Sequence, residues 1–234
     1  MPQTDSIRVV SKRIKKTLIE KLHIEEEKII VVPVFVELNH SVGGRILPLA
    51  DELAGKTVIL TMARLVKQKN LPLLVRAFSQ VSVKFPLAVL LIIGRGPEKD
   101  TIVAEVEKSG LPGKIIFIDW TDDVYSYYEL ADIYALSSNY EGWGMVVIEA
   151  ASCGLPIVMT DVGCANEVVK NDESGLIVPI GAEEKLAQAL IRLAENRELR
   201  EKLGAGARQA ILNLPDQQKT LELYRDSWFK ALKK

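Results

Sequence analysis

Two glutamates and two glycines lie close together in this sequence and are the residue types best suited to bind a ligand. Glu141 opens the turn Glu141-Gly142-Trp143-Gly144, and Glu149 follows within a segment rich in helix formers. Carboxylates can accept hydrogen bonds from sugar hydroxyls. Either glutamate alone is explained more simply, Glu141 as a helix cap and Glu149 as a solvated helix residue. Their combination with Gly142 and Gly144 favours a binding site.

The backbone of the same turn suits an anion. The apolar run that ends at Leu136 predicts a buried strand, and residues 145–153 predict a helix. The first amides of a helix have no acceptor within it, so those of Gly144, Met145 and Val146 would point at whatever occupies the turn. The turn is therefore predicted to bind an anionic ligand.

Two basic residues follow an earlier apolar run, at residues 57–62. Arg64 carries a rigid fork of donors and Lys69 a point charge, and both suit phosphate oxygens. With a helix terminus they would hold a diphosphate without a metal, and no Asp-x-Asp pair for a bridging divalent ion occurs in the chain. The simpler alternative is that each pairs with an acidic residue at the surface.

The elements that must position these residues alternate regularly from Lys56 onward. Apolar runs alternating with amphipathic segments predict a doubly wound α/β domain, whose parallel sheet has helices on both faces. The predicted strands span residues 57–62, 87–93, 114–118, 132–136, 156–160 and 176–178. The predicted helices span residues 71–84, 97–109, 124–131, 145–153, 166–170, 182–195, 198–212 and 216–232. The polar and glycine-rich clusters follow strand ends, so we expect them to converge on one crevice.

The first 36 or so residues predict a strand, a helix and a second strand, with Ser11 as the helix cap. Residues 37–51 are irregular, contain Gly43-Gly44 and predict a linker. Three elements are too few for a domain. We therefore expect residues 1–47 to be the end of an otherwise absent amino-terminal domain with its linker, or a cap on the following domain. Residues 48–234 would form the ligand-binding domain.

Composition narrows the function further. The chain has 234 residues, 48% hydrophobic and 26% charged, and a formal net charge of −1. This balance provides no global field that would attract nucleic acid or an anionic membrane. Cys153 and Cys164 are too few for a disulfide framework and have no metal-ligand spacing. We expect a cytoplasmic protein with reduced cysteines and without metal or cofactor, and loose attachment to a membrane surface stays open.

The chain resembles the retaining glycosyltransferases of family four, which have the two-domain GT-B fold. Four motifs carry the resemblance, and the two-glutamate motif is the most specific of them. They are Glu141-Gly142-Trp143-Gly144-Met145 through Glu149, Ala63-Arg64-Leu65 with Lys69, Gly94-x-Gly96-Pro97, and Gly163 with Glu167. The similarity covers residues 57–234, which correspond to the family's carboxyl-terminal, nucleotide-sugar domain. The opening segment resembles the last pieces of the amino-terminal domain.

The resemblance implies a role for each matching residue. Glu149 would bind the ribose hydroxyls, and Glu141 would contact the donor sugar near the reacting carbon. Arg64 and Lys69 would stabilise the charge on the departing diphosphate. The backbone at Ile118 would contact the base edge. The other expected donor-binding residues are Gly94, Gly96, Gly142, Trp143, Gly144, Met145 and Val146. Retention of anomeric configuration and independence of metal are implied as well.

Several positions depart from the family's pattern. Ala63 stands where glycine is usual, Trp143 where phenylalanine is commoner, and Cys164 where a second glycine is frequent. The Asn-Gly turn common at the domain junction is absent after Val34. The roughly 150 to 200 residues expected for an acceptor domain are missing. No acceptor-side residue is therefore implied by the resemblance.

The sequence thus predicts the donor half of a glycosyltransferase, which binds a nucleoside-diphosphate sugar and needs an acceptor domain, in cis or in trans, for transfer. The alternative is a non-catalytic nucleotide-sugar binding or subunit-interaction module. Tyr224, Trp228 and Phe229 would then dock another chain, unless they pack on the domain's own core. A third alternative is a sugar epimerase or phosphorylase half, which the set of Arg64, Lys69 and Glu149 fits less well.

Overall fold

A parallel sheet of six strands forms the centre of the computed structural model, which describes residues 6–36 and 47–232. Two further strands pair in parallel near the amino terminus. In chain order the strands are β1 (Ile7–Val9), β2 (Ile29–Val31), β3 (Thr57–Met62), β4 (Ala88–Ile93), β5 (Ile115–Ile118), β6 (Ile133–Leu136), β7 (Ile157–Thr160) and β8 (Gly175–Val178). The large sheet has the spatial order β5-β4-β3-β6-β7-β8. This doubly wound order confirms the predicted fold class.

A helix connects each pair of successive strands from β3 to β7, a turn connects β7 to β8, and three helices follow the last strand. In chain order they are α1 (Lys12–Leu22), α2 (Ala50–Leu53), α3 (Leu71–Lys84), α4 (Lys99–Lys108), α5 (Val124–Leu130), α6 (Met145–Ser152), α7 (Glu183–Glu195), α8 (Arg197–Leu212) and α9 (Gln217–Leu232). Single turns of 3-10 helix occur at Glu26–Lys28 and Lys67–Lys69. Apart from α2, a region predicted as linker, the α-helices lie close to their predicted bounds.

The sheet separates two hydrophobic cores, and β3 contributes to both. Ile59 packs in the core that contains α3 and α7, whereas Leu60 packs in the core that contains α6. Successive side chains of a strand point to opposite faces, so an uninterrupted apolar run indicates a strand that is covered on both sides. The buried sheet gives the loops at its ends a rigid support.

The amino-terminal segment, residues 6–36, contains β1, α1 and β2. The hydroxyl of Ser11 accepts a hydrogen bond from the amide of Ile14 at 3.1 Å, which confirms Ser11 as the helix cap. Residues 37–46 of the predicted linker lie outside the described residues, and α2 replaces irregular chain at its end. The division at residue 47 stays a prediction.

The helix predicted over residues 166–170 is wrong, because this segment forms a hydrogen-bonded turn. Asn166 has a left-handed backbone with φ of 66°, and the carbonyl of Cys164 accepts from the amides of Glu167 and Val168 at 3.1 and 2.9 Å. A run of five residues is too short to stabilise a helix by itself. Val168 and Val169 are buried in the core instead.

Candidate functional site

The strand order reverses between β3 and β6, which are neighbours although β4 and β5 separate them in the chain. Loops that leave the carboxyl ends of two such strands lie side by side and leave a crevice between them. Residues 63–70 follow β3, and residues 137–144 follow β6. The topology therefore brings together the two segments that contain half of the predicted site residues, among them Arg64, Lys69 and Glu141.

Hydrogen bonds tie these two loops to each other. The amide of Asn139 donates to the carbonyl of Gln68 at 2.8 Å, and the side-chain amide of Gln68 donates to the carbonyl of Tyr140 at 2.8 Å. The hydroxyl of Ser137 donates to the carbonyl of Lys69 at 2.9 Å. Each loop thus fixes the position of the other.

Lys69 and Glu141 form an ion pair at the centre of this contact. Lys69 Nζ lies 2.5 Å from Glu141 Oε1, and the two side chains are only 12% and 9% exposed. The hydroxyl of Ser138 donates to the same carboxylate oxygen at 2.7 Å. A largely buried pair needs such additional hydrogen bonds, because each charge loses its hydration. The alternative in which Lys69 pairs with an acid holds here, but that acid is the predicted sugar-binding Glu141 and the pair is not at the surface.

Arg64 differs from Lys69 in its surroundings. Its side chain is exposed and makes no ion pair or hydrogen bond with any residue in the ranges 6–36 and 47–232. The alternative in which Arg64 pairs with an acidic residue at the surface is therefore wrong for the residues that the structure describes. Its guanidinium keeps all its donors available for an anion.

The start of α6 supplies further donors. Gly144 precedes the helix and its carbonyl accepts from the amide of Val147 at 2.9 Å. Across the described residues, no protein acceptor meets the amides of Gly144, Met145 and Val146. The ring of Trp143 is buried. The predicted use of backbone amides at this turn is consistent with that arrangement.

The glycine turn after β4 supports the loop that carries Arg64. A Cβ on Gly94 would lie 1.8 Å from the carbonyl oxygen of Ala63, and one on Gly96 would lie 2.3 Å from that of Leu65. Only glycine permits this approach of two backbones. The structure thus gives Gly94 and Gly96 a packing role, while their predicted contact with a donor stays a prediction.

Ile118 ends β5, next to the same glycine turn. Its carbonyl accepts from the amide of Gly94 at 2.9 Å, so one of the two acceptor positions of that oxygen is already used. Nearby, the guanidinium of Arg95 lies 5.8 Å from the ring centre of Trp120, which is 59% exposed. Trp120 follows the end of a strand, and the sequence assigned it no role of its own at the rim of the crevice.

Glu149 lies in the middle of α6 and is held by a buried tyrosine. The hydroxyl of Tyr128 donates to Glu149 Oε2 at 2.9 Å. Burial, with smaller contributions from Tyr134 and Glu149, raises the pKa of Tyr128 far above its ordinary value, so the hydroxyl stays a donor. Glu149 Oε1 has no donor in the parts of the chain that are described. This oxygen is free to bind a hydroxyl.

The sequence missed a contribution of the amino-terminal segment to this site. The carboxylate of Glu167 accepts from the amides of Lys12 and Arg13, and the guanidinium of Arg13 pairs with Asp161. Val10 lies beside Gly142. These contacts are compatible with both interpretations of the segment, the end of an amino-terminal domain and a cap on the following domain, and the choice between them stays a prediction. The sequence feature that could have indicated this contact is the helix cap Ser11, because it predicts a helix start, with free amides, in this segment.

Neither a metal site nor a membrane span is found in the described ranges. No group of three or more His, Cys, Asp or Glu residues there is arranged to hold a metal ion. No helix there combines the length and the apolar character that crossing a membrane requires. Cys153 and Cys164 are both free thiols.

Comparisons with known proteins agree on one family. Residues 50–210 match the family model described as glycosyl transferases group 1. The N-acetyl-alpha-D-glucosaminyl L-malate synthase of Bacillus anthracis is 27% identical over 176 residues, which cover 75% of this chain and 46% of that protein. The phosphatidyl-myo-inositol mannosyltransferase of Mycobacterium leprae is 32% identical over 184 residues, with 75% and 48% covered.

Solved structures share the fold. The Anabaena HepE protein, crystallised with UDP, superposes with a TM-score of 0.84 at 19% identity, over 96% of this chain and 64% of that one. Identity at this level supports the fold alone. The chain spans about half the length of the curated relatives it matches.

Proposed function

The chain belongs to the glycosyl transferases group 1 family, and from that premise we propose that it is the donor-binding half of a retaining, metal-independent glycosyltransferase. The donor would be a nucleoside-diphosphate sugar. One observation carries the proposal: the switch point of the sheet brings Lys69, Glu141 and the unpaired amides at the start of α6 to one crevice. Cations, free amides and a carboxylate together suit a ligand with a diphosphate and a sugar.

Each group has a distinct task in this proposal. Arg64, Lys69 and the α6 amides hold the diphosphate, and Glu149 Oε1 accepts a hydrogen bond from a ribose hydroxyl. Glu141 contacts the sugar near its reacting carbon. Lys69, fixed by Glu141, stabilises the negative charge that grows on the diphosphate as the bond to the sugar breaks. Lys69, Glu141 and Glu149 are each held by a protein partner before the ligand binds, so little reorganisation of these three side chains is needed.

Transfer to an acceptor hydroxyl requires more than this crevice. Water must be excluded and the acceptor must be oriented, which are tasks of a closed cleft between two domains. The curated relatives are about twice as long as the matched part. We infer that an acceptor domain, in cis or in trans, completes the enzyme, and that without it the donor-binding half turns over little substrate. A cytoplasmic location, with peripheral membrane contact for a lipid-linked acceptor, fits this proposal.

Calorimetric titration tests the donor site directly. The chain is titrated with UDP, GDP and ADP and with their glucose and mannose conjugates, in the presence of a chelator. We expect one base class to bind, and Lys69→Ala to raise its Kd about tenfold through the lost charge-assisted hydrogen bond. Circular dichroism checks folding, because Glu141 loses its partner in this variant.

Lys67→Ala is the matched control, since Lys67 lies in the same 3-10 helix, is exposed and forms no ion pair with the described residues. Its Kd should stay within about twofold of the wild-type value. An equal loss of nucleotide affinity in Lys69→Ala and Lys67→Ala would indicate that the positive charge attracts the nucleotide nonspecifically. An absence of binding to every nucleotide would contradict the proposal.

A non-catalytic binding or interaction module is the second candidate, and the surface of α9 favours it. Trp228 and Phe229 are 61% and 55% exposed, so the interpretation that they pack on the domain's own core is wrong. Tyr224 is partly covered by the guanidinium of Arg8, 4.3 Å from its ring centre. Light scattering tests this candidate: self-association that Trp228→Ser abolishes would support it, and a monomer that transfers sugar would refute it.

A further inference from the structure

The carboxylate of Glu167 holds the start of α1 on the donor-binding domain. Glu167 Oε2 accepts from the amide of Lys12 at 3.0 Å, and Oε1 accepts from the amide of Arg13 at 2.9 Å. These are the first two amides of α1, at the positive end of its dipole. The guanidinium of Arg13 also pairs with Asp161 and donates to the carbonyl of Ala165 at 3.2 Å. We refer to these contacts of Glu167 and Arg13 as the clasp.

The turn that presents Glu167 is bonded to the predicted binding turn. The amide of Cys164 donates to the carbonyl of Trp143 at 2.8 Å, and the carbonyl of Cys164 accepts from the amide of Glu167 at 3.1 Å. A Cβ on Gly163 would lie 2.5 Å from the Trp143 carbonyl oxygen, so the two backbones are in direct contact. Hydrogen bonds therefore connect Glu167 to the residue that precedes Gly144 and α6.

The other side of the clasp reaches the same turn through Val10. A methyl group of Val10 lies 3.9 Å from the position that a Cβ on Gly142 would occupy. Val10 is separated from the clasped amides only by Ser11, which is fully buried. By holding the start of α1, Glu167 thus also fixes the distance between Val10 and the turn that contains Gly142.

We propose that Glu167 is a positioning residue for the sugar portion of the donor. By fixing α1, it forms the wall of the crevice over Gly142, on the side where the sugar of a nucleotide sugar would lie. The proposal rests on the proposed function, because it assigns the sugar to the turn at residues 142–146. Loss of the clasp should weaken binding of the nucleotide sugar and leave binding of the free diphosphate unchanged.

Two variants weaken the contact between Glu167 and the start of α1 from opposite sides. Glu167→Gln keeps the side-chain shape but places an amide group against the two donors. Lys12→Pro removes one of the donors, and proline is well tolerated at the first position of a helix, where Ser11 has the extended backbone that a following proline requires. Lys12→Ala controls for the lysine side chain. Glu173→Gln controls for charge, since Glu173 is exposed and its ion pair is with Lys170.

The first measurement is amide exchange of Arg13 by NMR in the nucleotide-free chain. We expect the exchange to become about tenfold faster in Glu167→Gln and Lys12→Pro, and to be unchanged in both controls. The second is calorimetric Kd for two probe pairs, UDP with UDP-glucose and GDP with GDP-mannose. For the pair that binds, each variant should raise the Kd of the nucleotide sugar about fivefold and that of the diphosphate less than twofold.

A double variant, Glu167→Gln with Lys12→Pro, tests whether both changes act on the same contact. If they do, its affinity for the nucleotide sugar should fall no further than that of the weaker-binding single variant. Equal losses for the sugar and the diphosphate, or faster Arg13 exchange without any change in Kd, would overturn the positioning role and leave the clasp as a packing contact. Fast Arg13 exchange in the wild-type chain contradicts the clasp itself. Failure of both probe pairs to bind the wild type contradicts the proposed function, and the positioning role with it.

Discussion

The two ends of the six-stranded sheet each contain an arginine, but the two arginines differ in whether the protein already provides them with hydrogen-bond partners. At the amino end, a cavity of about 500 Å³ is lined by Asp132, Cys153 and Arg200 among others. Arg200 donates to the carbonyls of Leu193 and Ala194 at 2.7 and 3.2 Å. At the carboxyl end, Arg64 has no partner within the described residues.

This difference shows what distinguishes a binding site from a charged cavity. An anion at the amino end would have to compete with hydrogen bonds that Arg200 already makes, and it would gain little. An anion at the carboxyl end meets Arg64 and the α6 amides, which have no acceptor or anionic partner among the described residues. The proposed diphosphate therefore belongs at the carboxyl end, and variants at the two ends of the sheet should behave differently.

The largest effect should follow from breaking the buried pair at the carboxyl end. In Glu141→Ala, Lys69, whose side chain is only 12% exposed in the wild type, loses its partner. We expect the free energy of unfolding to fall by about 3 kcal/mol, measured by urea denaturation, because an unpaired buried charge is costly. Glu141→Ala combined with Lys69→Met should recover most of the loss. A double variant no more stable than the single one would show that the pair is not the cause.

A pair of arginine variants compares the two ends directly. Arg64→Ala should raise the Kd of the bound nucleotide about tenfold and change the free energy of unfolding by less than about 0.5 kcal/mol. Arg200→Ala should do the reverse: nucleotide affinity is unchanged, and the protein loses about 1 to 2 kcal/mol because two carbonyls lose their donor. Calorimetry measures the nucleotide Kd of each variant, and urea denaturation measures its free energy of unfolding. A loss of affinity in Arg200→Ala would contradict the contrast between the ends.

The sequence predicted the fold well because its strands are uninterrupted apolar runs, as in β3, where both faces are buried. It also placed Arg64, Lys69 and Glu141 at strand ends that the sheet then brings together. It could not show that Lys69 pairs with Glu141, because residues from two distant loops meet only in the folded chain. The wrong helix at residues 166–170 hid the contact of Glu167 with α1, since no local pattern reveals a carboxylate that caps another segment's helix.

The smallest effect concerns Cys153, which lies in the amino-end cavity. Burial raises the pKa of its thiol to about 11 from an ordinary 9.0. A raised pKa stabilises the folded protein below pH 9, where the thiol is protonated in both states, and this contribution is lost as the pH rises toward about 11. Because the thiol is only half-buried, we expect the loss between these limits to be about 1 kcal/mol. Urea denaturation of the wild type and of Cys153→Ala at both pH values measures it, since the variant lacks this part of the decline. Nucleotide affinity should be the same in the two proteins, and a variant with altered affinity would indicate that the amino-end cavity communicates with Glu149 through Tyr128.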